Sequence, residues 1–101
     1  MKIVWTALAK AQLKEVFQYY KEVAGGRVAK SVRIKILEKT NNLLHHPEIG
    51  QVESNPLVAS LRYRYLISGN YKVIYRIENS KKIALIVAIF DTRQHPDALK
   101  V

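Results

Sequence analysis

Cysteine is absent from this chain. That excludes a disulfide framework and a thiolate zinc site, and it fits a reducing compartment. Acidic residues are scarce, with eight Asp and Glu against 17 Lys and Arg. They are also scattered, so no carboxylate pair stands at a spacing that marks general acid–base chemistry, although Glu48 and Glu53 lie on a connector where a base could sit. Histidine occurs three times, and the adjacent His45 and His46 cannot share one helix face. No metal centre is expected. The chain has no Gly-rich phosphate loop and no Ser/His/Asp order with a nucleophile signature, so no cofactor is implied. No apolar run approaches the ~18 residues of a membrane span. The opening Met1-Lys-Ile-Val-Trp-Thr-Ala-Leu-Ala-Lys10 faintly mimics a secretory signal. Its apolar stretch is interrupted at Thr6 and Lys10 and flows into an amphipathic helix, so a signal is rejected.

What is present is a foldable, basic chain. Hydrophobic residues make up 49% of it, enough for a core without staples. Its 101 residues suit one domain spanning 1–101. The formal charge of +9 implies an acidic partner: nucleic acid, an acidic protein or anionic lipid. The plain alternative is a basic surface that only keeps the protein soluble.

Lys2-Ile-Val-Trp5 is β-prone and reads as an edge strand or entry segment. Thr6 stands where a helix N-cap belongs. Ala9, Leu13, Val16, Phe17, Tyr20, Val23 and Ala24 then recur in steps that make one helical face. Gly25-Gly26 stops this helix. A second begins near Arg27, with Ala29, Val32, Ile36, Leu37, Leu43 and Leu44 as its stripe, and Pro47 ends it. Two amphipathic helices joined by two glycines form a helical hairpin. Residues 45–59, with two prolines and a glycine, read as an irregular connector.

The last third organises the rest. Residues 60–67, 71–77 and 81–90 are β-rich and separated by Ser68-Gly-Asn70 and Glu78-Asn-Ser80, the pattern of an antiparallel meander. The third run is apolar on both faces, so Ile83, Leu85, Ile86, Val87 and Ile89 are expected in a central, doubly covered strand. The expected fold class is α+β, in the order β-α-α-β-β-β, with both helices on one face of the sheet. A three-residue turn at 68–70 would set Ile67 opposite Tyr71, Tyr65 opposite Val73 and Tyr63 opposite Tyr75. Arg62 with Arg76, and Leu66 with Lys72, would share the other face. Like charges opposed across strands are unfavourable, so Arg62, Arg64, Lys72, Arg76 and Arg93 are expected to form an anion-binding face. The interleaved tyrosines would either stack bases or form core.

Several segments together resemble the RelE/ParE superfamily of bacterial toxins from type II toxin–antitoxin modules. They are Val4-Trp5-Thr-x-x-Ala9 with Leu13 and Tyr19-Tyr20, then Leu44-x-x-Pro47-x-x-Gly50, Arg62, Tyr71-Lys-Val-Ile-Tyr75-Arg-Ile, and Ile89-Phe-Asp-Thr-Arg-Gln-His-Pro96. The resemblance covers nearly the full length and implies the same β-α-α-β-β-β fold. Within that superfamily, RelE- and YoeB-like toxins cleave messenger RNA on the ribosome, whereas ParE-like toxins inhibit DNA gyrase.

Lys72 stands where the nucleases carry Arg, Asn55 where YoeB-like chains carry a Glu base, and Phe90-Asp-Thr-Arg93 replaces their His/Tyr ending. The tail is similar to the ParE side. A ParE-like gyrase inhibitor without chemistry of its own is therefore expected first, with Arg62, Arg64, Lys72, Arg76 and Arg93 binding the target. The alternative is a ribosome-dependent endoribonuclease using Arg62, Arg64, Lys72 and Arg93 for phosphate charge, with His95 or Glu53 in acid–base roles. A third reading is a degenerate toxin that only binds its antitoxin. Under each, the resemblance implies a cognate antitoxin with an acidic, partly disordered segment that folds on binding, a toxin–antitoxin hetero-oligomer, and a bacterial cytoplasmic location.

Overall fold

The computed structural model describes residues 1–55, 61–94 and 98–99. Strand β1 (Lys2–Trp5) leads into helix α1 (Ala7–Ala24) and helix α2 (Gly26–Asn41). A single 3-10 turn, Asn42–Leu44, precedes β2 (Gln51–Val52), β3 (Arg64–Ser68), β4 (Tyr71–Glu78) and β5 (Ile83–Asp91). The five strands form one sheet in the order β1-β5-β4-β3-β2, with β1 parallel to β5 and the other pairs antiparallel. The α+β class and the helical hairpin are as expected, and the N-terminal segment is an edge strand. The connector holds a short strand, β2, that its prolines and glycine concealed.

Local chemistry explains the hairpin. The Ala9 amide donates to Thr6 Oγ1 at 3.1 Å, the N-cap bond, and the Thr6 amide donates to the Ile86 carbonyl at 3.0 Å. The start of α1 is thereby tied to β5. Gly25, at φ 93°, caps α1 through its amide on the Lys21 carbonyl and begins α2 directly. Helix α2 stops at Asn41, short of Pro47. Thr40, Asn41 and Asn42 are weak helix formers whose side chains compete for the backbone. The helical stripes are also narrower than the spacing suggests: Val23 is 61% exposed, and Leu37 and Leu44 remain more than a third exposed. Those positions fall at helix ends or flanks that pass beyond the sheet.

The sheet is covered on both faces. Against the helices lie Leu66, Tyr71, Val73, Tyr75, Ala84, Ile86 and Ile89, packed with Ala9, Ile36 and Leu43. On the opposite face Tyr63, Ile74, Val87, Ala88, Phe90 and Leu99 form a second cluster. A bulge between Ile74 and Tyr75 in the pairing with β5 breaks strict alternation. It places both Val87 and Ala88 on the second face. Strand β5 is flanked by β1 and β4 and buried on both sides, the doubly covered strand its composition indicates.

The hairpin register differs from the expected one. Ser68 pairs with Tyr71, Ile67 with Lys72, Leu66 with Val73, Tyr65 with Ile74 and Arg64 with Tyr75. The turn is the two-residue Gly69-Asn70, with Gly69 at φ 57°. A one-residue slip moves every side chain to the other face. Leu66 and Lys72 therefore lie on opposite faces, and Arg64 faces the helices. Arg62 precedes β3 altogether, so it has no cross-strand position opposite Arg76.

One tyrosine positions the connector. Tyr75 is fully buried, and its hydroxyl donates to the Pro47 carbonyl at 2.8 Å and accepts from the Gly50 amide at 2.9 Å. A Cβ on Gly50 would come within 2.8 Å of the Tyr65 carbonyl and 2.7 Å of the Tyr75 ring. The Pro47-x-x-Gly50 spacing is thus the footprint of Tyr75. Tyr75→Phe is expected to cost about 1–3 kcal/mol by stranding the buried Gly50 amide and the part-buried Pro47 carbonyl. Urea denaturation measures it, and an unchanged midpoint would show that the connector does not depend on this hydroxyl.

Candidate functional site

The connector enters from the helix side at Gly50, pairs along the β3 edge as Gln51–Val52, and reaches the opposite face at Glu53. Glu53 is held by its amide on the Tyr63 carbonyl at 2.8 Å. Its carboxylate, only 3% exposed, accepts from Lys72 Nζ at 3.1 Å and from the Asn55 amide at 3.0 Å. Lys72 also lies 4.2 Å from the centroid of the Tyr65 ring, a cation–π contact. Glu53, Asn55 and Lys72 line a cleft of about 360 Å³ with Phe90, Thr92 and Gln94.

A second cleft of about 400 Å³ adjoins it and shares Phe90 and Gln94. Here β5 ends, and Asp91 accepts from the Arg93 guanidinium at 3.0 and 2.8 Å and from the Arg93 amide at 2.9 Å. The side-chain bonds from Arg93, opposed in part by burial, hold the Asp91 carboxyl below its ordinary value. The same carboxylate holds the exposed Arg93 guanidinium above its own. Across the cleft, Tyr71 packs edge-on against Tyr20 with ring centroids 6.5 Å apart. Burial first, then the hydrogen bond with Tyr20, pushes the Tyr71 hydroxyl well above the usual tyrosine range.

The structure brings Glu53, Lys72 and Arg93 to this one end of the sheet and disperses the other candidates. Arg64 donates to the Gly50 carbonyl at 2.9 Å on the helix side. Arg76 is paired with Glu78 at 2.6 Å. Arg62 is exposed, in a left-handed backbone conformation at φ 58°. His95 lies outside the described residues. The expected free cationic face is therefore not formed. Lys72, Arg76 and Arg93 each hold an internal carboxylate, and Arg64 holds backbone. Two of those pairs had a local signal, since Arg76-x-Glu78 and Asp91-x-Arg93 have the i,i+2 spacing that places side chains on one side of an extended chain. Glu53 and Lys72 are far apart in sequence and carried none. Among the described residues no cluster of His, Cys, Asp or Glu could hold a metal.

The hairpin carries the larger share of the net charge. Helices α1 and α2 carry eight Lys and Arg against three Glu, a net +5. Between them and β1 lies a mainly apolar groove of about 380 Å³, floored by Trp5, Leu13, Phe17 and Leu37 and rimmed by Lys10, Lys14 and Arg33. Arg33 stacks 4.5 Å above the centroid of Phe17.

The Glu53–Lys72 contact is testable as a pair. Lys72→Met leaves a buried carboxylate without its cation and is expected to cost about 1–3 kcal/mol. The double variant Glu53→Gln/Lys72→Met is expected to recover part of this in a double-mutant cycle. A coupling energy near zero would mean that solvent already screens the pair.

The raised Tyr71 hydroxyl sets an alkaline limit. Its stabilising contribution is fully present below the unfolded value of 10.0 and is lost as pH rises through the native one. Stability is expected to fall above about pH 10, and Tyr71→Phe is expected to flatten that limb. Ultraviolet titration of the tyrosines is expected to leave two, Tyr71 and the buried Tyr75, unionised until the protein unfolds. Complete titration of all six in the native state would contradict this.

The family profile described as the ParE toxin of the type II toxin–antitoxin system parDE matches residues 3–96. No curated protein sequence matches the chain. Among solved structures it is similar to a chain of the chromosomal ParDE TA system from P. aeruginosa. That match has 21% identity and a TM-score of 0.75, and covers 90% of this chain and 95% of the other. It is also similar to the YoeB/ParE toxin from Agrobacterium tumefaciens, at 19% identity and a TM-score of 0.57, over 88% of this chain and 95% of that one.

Proposed function

Since a match over residues 3–96 places the chain in the ParE toxin family of type II toxin–antitoxin systems, we propose that it acts by binding and inhibiting DNA gyrase and is neutralised by a cognate antitoxin. The observation that carries this reading is the internal neutralisation of the sheet. A ribosome-dependent nuclease needs free cations around a scissile phosphate, together with an acid and a base. Here Lys72 is held by Glu53, Arg76 by Glu78 and Arg93 by Asp91. Both Glu53 oxygens already accept hydrogen bonds. The arrangement suits a binding surface better than a reaction centre.

In this reading Arg93 and Arg62 are the target contacts. Asp91 fixes the Arg93 guanidinium while leaving about half of the side chain exposed, a pre-organised anchor of the kind that dominates protein interfaces. The groove at Trp5, Leu13 and Phe17 is proposed as the antitoxin seat. Its apolar floor and cationic rim match an acidic amphipathic segment. The site of action is the bacterial cytoplasm, where gyrase works, and no helix among the described residues is long and apolar enough to cross a membrane.

Two assays on toxin freed of antitoxin test the target. Supercoiling by gyrase is expected to be lost while message in a translating extract stays intact by primer extension. Arg93→Ala is expected to weaken the inhibition roughly tenfold without changing thermal stability. Cuts in ribosome-bound message with gyrase unaffected would overturn the proposal and return Lys72, Glu53 and Arg93 to catalytic roles. Separately, Lys10→Glu/Lys14→Glu is expected to weaken antitoxin binding at least about tenfold at physiological salt. Unchanged affinity, measured by calorimetry, would place the antitoxin elsewhere.

A further inference from the structure

The outer face of α2 carries three cations that no ion pair among the described residues neutralises. Arg27, Lys30, Ser31, Ile34 and Lys35 line one shallow face there, with Glu38 at its end. It lies opposite Ala29, Ile36 and Thr40, the residues that bury α2. Among the described residues neither Arg27, Lys30 nor Lys35 makes an ion pair, and Glu38 makes none with them. By contrast, four sheet or turn cations are paired. Ile34, in the middle of the face, is 50% exposed.

We infer that this face is a docking surface for the phosphate backbone of duplex DNA, which rests on the reading of the protein as a gyrase inhibitor and gives it a second contact, to the DNA that gyrase holds. Two observations favour a regular polyanion over an acidic protein segment. The face offers a single large apolar side chain, Ile34, and so lacks the floor of several apolar residues that anchors a peptide. Such a floor lies instead in the separate groove at Trp5, Leu13 and Phe17. The cations also run along the helix. Arg27 to Lys35 spans about 12 Å at ~1.5 Å per residue, similar to the ~12 Å width of a major groove and enough to meet about three phosphates. Exposed Ile34 is positioned for apolar contact with a thymine methyl or sugar rather than for burial.

The test needs no gyrase, so its failure is separable from failure of the gyrase reading. Fluorescence anisotropy of two unrelated 20-base-pair duplexes with the purified, antitoxin-free protein is measured across a salt series. Similar affinity for both is expected, with log K falling against log salt at a slope of roughly −2.7 for three phosphates. The variant Arg27→Gln/Lys30→Gln/Lys35→Gln is expected to lose at least about tenfold in affinity and most of that slope. A control, Lys2→Gln/Lys81→Gln/Lys82→Gln, removes the same charge from the far end of the sheet and is expected to change little. Circular dichroism confirms that both variants fold. Equal losses in the two triple variants would mean that only net charge matters and would overturn the proposal. So would binding of poly-glutamate by α2 without binding of DNA, which would assign the face to an acidic protein.

Discussion

The phenol oxygen of Tyr75 stands between two backbone groups of the connector, the Pro47 carbonyl and the Gly50 amide. Much of the molecule follows from that bridge. It holds the connector against the helix-side core at a place where the close approach admits no side chain on Gly50. Arg64 reinforces the same point from the neighbouring strand by donating to the Gly50 carbonyl. From there the chain pairs along β3 and turns onto the opposite face, where Glu53 meets Lys72. A buried hydroxyl must find partners or forfeit a hydrogen bond. Tyr75 therefore couples the packing of the core to the electrostatics of the candidate site through residues that never touch that site.

Charge is divided between the two halves of the molecule by the geometry of extended and helical chain. On strands and at their ends, residues two apart share a face, so Arg76 meets Glu78 and Arg93 meets Asp91. On α2 the same exposed surface holds Arg27, Lys30 and Lys35, with Glu38 as its one acid. A partner approaching the sheet meets neutral pairs that would have to be broken or accommodated. A partner approaching the hairpin meets fields that only counterions screen. A little over half of the +9 charge thus lies on the helices, whereas the sheet end offers fixed, directional groups.

The fold class was legible because its strongest signals are local: the Thr6 cap, the Gly25 stop, the 3.6-residue stripes and the doubly apolar run at β5. The structure departs from the sequence pattern where a tertiary contact overrules it. A two-residue turn in place of three exchanged the faces of Leu66 and Lys72. Strand β2 exists because Tyr75 and the β3 edge hold it, and its two exposed residues give no alternation to read. At the site, Lys72 and Arg93 were found by residue type, but their neutralisation was not. The connector position of Glu53 suits a base, and its role as the buried counterion of Lys72 depends on a path around the sheet edge that no spacing encodes.

That buried pair also bears on how one scaffold serves different targets. An ion pair removed from water returns little net stability, because desolvation offsets most of the Coulomb attraction. Glu53–Lys72 is therefore a poor device for holding the fold, which the two cores already hold. What the pair does is convert a flexible ammonium on the sheet into a fixed, neutralised one, stacked on Tyr65 and no longer free to bind phosphate. With the Asn55 amide on its other oxygen, Glu53 is the one carboxylate that Lys72 meets there. The distribution of unpaired charge, more than the inventory of basic residues, is then the physical property that distinguishes a binding surface from a catalytic one.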